Sequence, residues 1–199
     1  MRKKPGTLAV PDLPISAADT NFLDALLQPR LALFWGANTP TQALLSNLTI
    51  LAADGHAIRI FDGGNRFDGY FVARLARRLS SNPREVLERI RLSRAFTCFQ
   101  LAQLIENAPA SAQPLFVLDL LTTFYDESVP LRDSERLLAT AIAHLKRLAA
   151  VGPVIVGARE PRVLVKERWT LLDQIQIASD VAWLLRTPEG RPPVQPQLF

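Results

Sequence analysis

The chain has 199 residues, of which 48% are hydrophobic and 21% are charged, a composition that suits one globular α/β domain with a sizeable core. Its longest apolar runs, such as residues 115–121, are far shorter than the ~20 residues that span a bilayer, and no apolar stretch follows the basic start Met1–Pro5, so we expect neither a membrane span nor a signal peptide. The formal net charge of +4 is compatible with a polyanionic partner, or equally with surplus arginines that serve solubility alone.

Apolar runs alternate with helix-periodic segments along the chain. Continuous runs such as Leu115–Asp119 predict strands buried on both faces, and a stripe at helical spacing predicts an amphipathic helix over Ser134–Ala150. In chain order the predicted elements are a helix at 22–27, a strand at 31–35, a helix at 42–53, a strand at 57–61, a helix ending near 79, a helix restarting at 83, a strand at 90–95, a helix at 98–107, a strand at 115–119, a helix at 134–150, a strand at 153–157, a helix at 169–178 and a strand at 181–185.

This alternation predicts an α/β fold with three layers, in which helices cover both faces of a mostly parallel central sheet. We divide the chain into a flexible basic arm (1–14), one core domain (15–186) and a proline-rich tail (187–199). In such sheets, ligands bind beyond the carboxyl ends of the strands. Those ends are Trp35-Gly36, Asp62, Arg94, Asp119 and Gly157–Arg159.

Four parts of the core together resemble the RecA superfamily, nearest its archaeal and eukaryotic recombinase branch. They are Ile15-Ser16 with Leu23–Leu27 (the entry segment), Ile60–Asp62 with Phe67 (the strand and loop of the catalytic glutamate), Ser93–Phe96 with Gln100-Leu101 (the next strand and helix), and Phe116–Asp119 with Leu121–Tyr125 (the Walker B strand and its loop). The order and spacing of these segments carry the resemblance, which implies a RecA-like P-loop NTPase fold over residues 15–186.

The phosphate-binding loop departs from the family pattern. In G-x-x-x-x-G-K-[ST], backbone amides cradle the phosphates, the lysine reaches the β/γ-phosphates and the hydroxyl holds magnesium. Aligned on Gly36, this chain has Thr41 for the second glycine, Gln42 for the lysine and Ala43 for the hydroxyl residue. Pro40 also removes one backbone donor. The lysine and the magnesium ligand of the family are therefore both missing.

The catalytic carboxylates are incomplete as well. The family's glutamate falls near Gly64, which has no side chain, so the resemblance implies a protein that is not an ATPase and needs no cofactor. We expect Asp62 and Asp119 to accept hydrogen bonds from backbone amides near their strand ends. Weak anion binding where a helix starts after Thr41 stays open, because helix N-termini favour anions. The residues of the vestigial nucleotide site are Gly36, Thr41, Gln42 and Asp119.

No substitute chemistry is visible. His56 and His144 lack metal-ligand spacing, and no serine lies in a nucleophile-elbow context. Cys98 is the only cysteine, which excludes an internal disulfide and a cysteine zinc site and favours a cytoplasmic location. We expect Cys98 to lie in the core, on an apolar helix face.

In the RecA family, loops after the Walker B strand and after the next strand hold DNA. The first loop here, Tyr125–Arg132, has two acids and one arginine and suits phosphate poorly. The second region, Arg159–Trp169, combines cations with an aromatic residue, which suits single-stranded DNA. The alternative is a solvated loop with Trp169 in the core. The predicted DNA-binding residues are Arg159, Arg162, Lys166, Arg168 and Trp169. A second basic set, expected to be a solvated helix face able to touch DNA or an acidic partner, comprises Arg74, Arg77, Arg78, Arg84 and Arg89.

The end of the chain resembles the short bacterial peptide that binds the sliding clamp. Gln195 stands at the hydrogen-bonding position, and Leu198 and Phe199 stand at the apolar positions. Pro196 departs from the leucine that the motif prefers. The alternative is a tail whose last residues dock on the protein itself.

Three functions remain open from the sequence. The first is a non-catalytic RecA-like accessory protein in DNA repair or recombination, which binds single-stranded DNA, a RecA-like or polymerase partner, or both. The second is a weak or partner-completed ATPase. The third is a protein-binding regulator without DNA contact.

Overall fold

A computed structural model describes residues 26–37 and 41–185, with residues 163–165 described by their backbone alone. The strands are β1 (Leu31–Gly36), β2 (Ile58–Asp62), β3 (Ile90–Arg94), β4 (Leu115–Leu118), β5 (Val154–Arg159) and β6 (Val181–Leu184). The helices are α1 (Thr41–Ala53), α2 (Gly69–Leu79), α3 (Pro83–Glu88), α4 (Cys98–Asn107), α5 (Leu131–Ala149) and α6 (Trp169–Ala178), with a 3-10 helix at Val163–Arg168 before α6.

The six strands form one sheet in the order β3-β2-β4-β5-β1-β6, and every pair of neighbours is parallel. The apolar runs of β1, β4 and β5 are buried on both faces, as parallel strands covered by helices require. The register places Gly36 opposite Arg159 and Asp62 opposite Arg94. The carboxyl ends of the strands therefore meet at one edge, and the predicted α/β fold with a parallel sheet is confirmed.

Alternating strand side chains divide the core into two halves. Phe34, Ile60 and Phe116 pack with the buried faces of α1, α2 and α3 on one side of the sheet. Leu33 and Val117 pack with the buried faces of α4, α5 and α6 on the other side. The described residues thus form three layers, with helices on both faces as predicted.

The connections leave the carboxyl edge toward opposite faces. The chain runs from β1 through α1 on the first face, whereas it runs from β5 through α6 on the second. Because β1 and β5 are neighbours, the backbone diverges between them and opens a crevice. The same divergence separates β2, which leads into α2, from its neighbour β4, which leads into α5.

Two helices of the described residues begin with a side-chain cap. The Asp68 carboxylate accepts a hydrogen bond from the Phe71 amide (2.9 Å) at the start of α2, and the Thr97 hydroxyl accepts one from the Gln100 amide (3.2 Å) at the start of α4. Helix α3 starts at the predicted Asn82-Pro83 pair. The caps of α2 and α4 come at the end of loops at the carboxyl edge. They therefore fix the direction in which each of these loops enters its helix.

Two boundaries differ from the prediction. Helix α5 begins at Leu131 rather than Ser134, because the Pro130 carbonyl accepts hydrogen bonds from the Asp133 and Ser134 amides (both 3.0 Å). Strand β5 continues past Gly157 to Arg159, because it stays paired with β1 as far as Gly36. The predicted arm and tail, and residues 22–25 of the predicted first helix, lie outside the described residues.

Cys98 lies in the core at the start of α4, 1% exposed, as expected. Burial raises the pKa of its thiol, so the neutral form is favoured. None of the described helices is long and apolar enough to cross a membrane.

Candidate functional site

Two fully buried carboxylates stand at the carboxyl edge of the sheet. Asp62 ends β2, Asp119 follows β4, and both are 0% exposed. Because β2 and β4 are neighbours, the two side chains belong to one site. A buried carboxylate is costly unless it is paired and hydrogen-bonded, so its partners reveal what the site is built to do.

Asp62 organises the loop that follows its own strand. Its two carboxylate oxygens accept hydrogen bonds from the backbone amides of Arg66 (2.8 Å) and Phe67 (2.9 Å). The Arg94 Nε lies 3.6 Å from Asp62 Oδ2 and adds a charge partner from the neighbouring strand. The expectation that Asp62 serves backbone amides is confirmed.

Asp119 has different partners from those expected. Its Oδ2 accepts a hydrogen bond from Arg66 Nε (3.1 Å) and lies 3.6 Å from Arg159 Nε, whereas Oδ1 is buried without a hydrogen-bond partner among the described residues. The backbone of Asp119 adopts a left-handed conformation, with φ of 52°, which aspartate tolerates better than most residues. Two guanidinium groups, rather than backbone amides, therefore balance this carboxylate.

Gly64 lies directly against the Asp119 carboxylate. A Cβ atom built on Gly64 would stand 2.6 Å from both Cβ and Oδ2 of Asp119. Real Cβ atoms do not approach other heavy atoms so closely, so a larger residue requires the loop or Asp119 to move. The position that resembles the family's catalytic glutamate has no room for a glutamate side chain in this conformation.

A cavity of about 690 Å³ opens beside this cluster, between the first turns of α1, the loop after β2, the first turns of α2 and the end of β5. Thr41 and Gln42, two of the predicted vestigial residues, line it at the helix start. No acidic residue stands in the first turn of α1, so the positive end of the helix dipole is not offset locally. The full lining is Ala37, Thr41, Gln42, Leu45, Asn65, Arg66, Asp68, Phe71, Arg74 and Arg159.

Positive charge dominates the cavity lining. The lining includes three arginines and one acidic residue, Asp68, whose carboxylate already caps α2. Arg66 and Arg159 direct Nε toward Asp119, and the other N–H groups of both guanidinium groups have no side-chain partner among the described residues. The cavity can therefore hold an anion.

Tyr125 supports Arg159 from the loop after β4. Its hydroxyl donates a hydrogen bond to the Arg159 carbonyl oxygen (2.8 Å). Burial, aided by the charge of Asp119, raises the pKa of Tyr125 above its ordinary value. The hydroxyl thus stays protonated and keeps its role as a donor.

The five residues predicted to bind DNA are placed in three different environments. Arg159 belongs to the Asp119 cluster. Arg162 and Lys166 are exposed, and Trp169 is 36% exposed. Arg168 is only 4% exposed, which is not the solvent-facing position that the prediction requires.

Arg168 holds backbone rather than facing solvent. Its guanidinium donates to the carbonyl oxygens of Phe124 and Val129 (both 2.6 Å) and lies 3.3 Å from Ser134 Oγ. It ties the loop after β4 to the 3-10 helix after β5. A guanidinium engaged in this way is not presented to DNA, so we leave Arg168 out of the candidate interface.

The second basic set is divided between free and paired side chains. Arg74, Arg77 and Arg78 are exposed on α2, as expected of a solvated helix face, although the Arg74 guanidinium also lies over the Phe71 ring, 5.9 Å from its centroid. Arg84 pairs with Glu88 (2.9 Å), and Arg89 pairs with Glu85 (3.6 Å) and donates to the Ala52 carbonyl (3.2 Å). The arginines on α2 remain available to a ligand.

Sequence reasoning missed the part that Arg66 plays at Asp119. Its only signal was a cation four residues after the end of β2, at the edge where Asp119 was also expected. The exposed aromatic side chains of the same edge, Tyr70, Phe96 and Phe99, were also missed. The tail residues Gln195, Leu198 and Phe199 lie outside the described residues.

Comparison with known proteins gives no identification, since the sequence matches no protein-family model and no curated protein. Within the part of the chain that the structure describes, no group of three His, Cys, Asp or Glu side chains could hold a metal ion. What remains is a pair of buried carboxylates neutralised by arginines, beside a cationic cavity.

Proposed function

We propose that this protein is a non-catalytic RecA-like accessory protein in DNA repair or recombination. It acts by binding DNA, a recombinase or polymerase partner, or both. The proposal includes the RecA-like form of the three-layer fold. The meeting of Gly36, Asp62 and Asp119 at one edge of a parallel sheet supports it, because that is where the resemblance requires them.

The observation that carries the proposal is the pairing of Asp119 with Arg66 and Arg159. In P-loop NTPases the Walker B aspartate serves the magnesium ion, which neutralises charge on the phosphates. Here two cationic side chains stand at the same carboxylate oxygen. A divalent cation would be repelled by both and would have to displace them to bind.

The loop after β2 supports the same conclusion independently. Hydrolysis needs a group that orients the attacking water. Gly64 stands near the position of that group, and the space beyond its Cα belongs to Asp119. The packing of the edge therefore supports a protein without ATPase activity, in addition to the departures in the phosphate-binding loop.

Hydrolysis assays test the lost chemistry. The variant Gln42→Lys with Ala43→Ser restores the two side chains that the P-loop pattern requires. We expect no turnover of Mg-ATP above background in either the wild-type chain or this variant, because Asp119 stays paired and no glutamate is present. Wild-type turnover that Asp119→Asn abolishes would contradict the proposal.

Charge reversal tests the DNA contact. Arg162→Glu with Lys166→Glu removes the two exposed cations of the segment after β5, and we expect it to weaken oligonucleotide binding by about tenfold or more. The single variant Lys166→Glu has a matched control in Lys146→Glu, which makes the same change of net charge in the last turn of α5, at the opposite edge of the sheet. Equal effects of the two variants would show only a general charge effect and would contradict a contact at this segment.

A partner-completed ATPase is the second candidate, and the cationic cavity at the start of α1 favours it. A ligand at a hundred times its dissociation constant raises the free energy of unfolding by about 2.7 kcal/mol, which thermal unfolding detects easily. Stabilisation by Mg-ATP that exceeds stabilisation by pyrophosphate would support this candidate. No stabilisation by either would exclude it for the isolated chain.

A further inference from the structure

Helix α2 carries its positive charge on one side. The helix contains three arginines and no acidic residue, and all three arginines are exposed. Its buried residues, Val72 and Ala76, pack into the core. At about 3.6 residues per turn, the arginines lie on the side of the helix that faces away from these two residues. The arginines are Arg74, Arg77 and Arg78.

An exposed aromatic ring shares this side of α2. Tyr70 is 76% exposed and stands four residues before Arg74, so the two side chains are neighbours on the helix surface. Arg77 and Arg78 follow Arg74 at spacings of three and four residues, which again makes them neighbours. At a rise of about 1.5 Å per residue, the row from Tyr70 to Arg78 is about 12 Å long. We call these four residues the basic stripe.

The basic stripe differs from an ordinary solvated helix face. Such a face usually carries charges of both signs, as on α3, where Arg84 pairs with Glu88 (2.9 Å). The helix dipole favours Arg77 and Arg78 in the last turn of α2, but it gives no reason for Arg74 in the middle. Among the described residues, the guanidinium groups of Arg77 and Arg78 have no hydrogen-bond or ion-pair partner. The stripe therefore presents positive charge that the chain itself does not use.

The basic stripe continues into the cationic cavity. Arg74 belongs to both, because it lines the cavity together with Arg66 and Arg159. The acidic residue of the lining, Asp68, is already engaged as the cap of α2. One positive surface therefore runs from the end of β5 across the cavity and along α2 to its last turn.

We infer that the basic stripe is a second contact for DNA, at which the arginines bind the phosphodiester backbone and Tyr70 stacks on an unpaired base. A row of cations with an aromatic ring suits a single strand of any sequence, because every strand repeats its phosphates and every base has a flat face. The inference rests on the proposed function, which supplies DNA as the ligand. An acidic protein segment would match the charge, but its carboxylates would leave the exposed ring of Tyr70 without a partner.

Salt titrations of the binding of a labelled oligothymidine to the full chain test the inference. Each cation that neutralises a phosphate of a single strand contributes about 0.7 to the slope of log affinity against log salt. We expect Arg77→Gln with Arg78→Gln to weaken binding by about fivefold or more at low salt and to lower this slope by about 1.4. Tyr70→Ala removes the ring but no charge, so it should weaken binding by about 5- to 100-fold and leave the slope unchanged.

A matched control removes the same charge elsewhere. Arg136→Gln with Lys146→Gln replaces two exposed cations of α5, which covers the other face of the sheet. We expect this control to keep the slope of the wild-type chain. Thermal unfolding checks that each variant is folded.

The outcomes separate this inference from the proposed function. If the variants of the basic stripe bind like the wild-type chain while Lys166→Glu binds weakly, the stripe is excluded and DNA binding stands. Equal losses in the stripe variant and its control would show a general charge effect and overturn the inference. If the wild-type chain does not bind single-stranded DNA even at low salt, the DNA part of both proposals fails.

A polyglutamate peptide distinguishes DNA from an acidic protein. We expect it to compete for the basic stripe less well than an unlabelled oligothymidine of equal charge, because it has no bases to stack on Tyr70. Stronger competition by the peptide that is lost in Arg77→Gln with Arg78→Gln would make the stripe a contact for an acidic protein. That result would overturn the inference.

Discussion

Asp119 is a buried carboxylate with two arginine side chains as charge partners. Removing a carboxylate from water costs several kcal/mol unless charge partners and hydrogen bonds replace the lost solvent. Arg66 provides that balance from the loop after β2 and Arg159 from the end of β5, and both keep part of their surface in solvent, 39% and 26% of the side chain. The residue thus holds together the ends of β2, β4 and β5.

Replacing Asp119 with asparagine tests this balance. The amide keeps the size of the side chain and tolerates the left-handed backbone, but it removes the charge. Because both arginines can turn toward water, we expect the free energy of unfolding to fall by only about 1–3 kcal/mol. Urea denaturation of both proteins measures this difference in the free energy of unfolding. Unchanged or increased stability would show that the carboxylate is not structurally paired as described.

Gly64 gives a second residue-scale prediction. Gly64→Ala places a methyl group where Asp119 Cβ and Oδ2 lie, so we expect a loss of about 1–3 kcal/mol of unfolding free energy. The matched control is Gly69→Ala at the start of α2, where the new Cβ meets only Phe67 at an ordinary 3.6 Å. The control should be neutral or slightly stabilising, because alanine favours helix. Equal effects at both positions would contradict the close packing at Gly64.

The buried hydroxyl of Tyr125 leads us to expect that the free energy of unfolding depends on pH in the alkaline range. Its pKa is raised in the folded chain, chiefly by burial, so above about pH 10 the unfolded chain loses this proton while the folded chain keeps it. The contribution to stability is complete below that pH and falls as the pH rises further. Tyr125→Phe should therefore show a shallower fall of the unfolding free energy between about pH 9 and pH 11, around the ordinary pKa of tyrosine. An identical fall in both proteins would contradict a buried, protonated hydroxyl.

At the scale of elements, the strands were the most predictable part of the fold. The apolar runs of β1, β4 and β5 are buried on both faces, as is typical of parallel strands covered by helices. The start of α5 was missed, because proline was treated as a loop residue although its carbonyl can begin a helix. Local patterns specify which segments are strands, but boundaries depend on pairing and capping that involve other segments.

Arg168 joins two elements, and its replacement should loosen both. Arg168→Met leaves the carbonyl oxygens of Phe124 and Val129 without their donor, so we expect the free energy of unfolding to fall by about 2–4 kcal/mol. We also expect faster amide hydrogen exchange in the loop after β4. Lys166→Met, two residues away and exposed, should change stability by no more than about 0.5 kcal/mol. A similar result for both variants would mean that Arg168 does not hold the loop.

At the scale of the whole molecule, strand order determines which residues meet. The sequence predicted that strand ends would share an edge, and Asp62, Arg94, Asp119 and Arg159 do lie together there. It could not predict that Arg66 would reach Asp119, because β2 and β4 are separated by β3 along the chain and are neighbours only in the sheet. Arg168 shows the opposite error, since charge alone suggested exposure while its carbonyl partners place it inside.

The whole edge combines positive charge with missing catalytic groups, which is why we expect binding without turnover. Arg66, Arg74 and Arg159 line the cavity, and the segment after β5 continues directly from Arg159. A ligand with many phosphates suits this distribution better than a small neutral molecule.

The most direct measurement is the fluorescence anisotropy of labelled single- and double-stranded oligonucleotides titrated with the full chain, at two salt concentrations and with or without Mg-ATP. We expect binding to the single strand in the micromolar range or tighter, a marked loss of affinity at the higher salt, and no effect of Mg-ATP. Absence of binding at low salt, or binding that requires Mg-ATP, would contradict a non-catalytic protein that acts by contacting DNA.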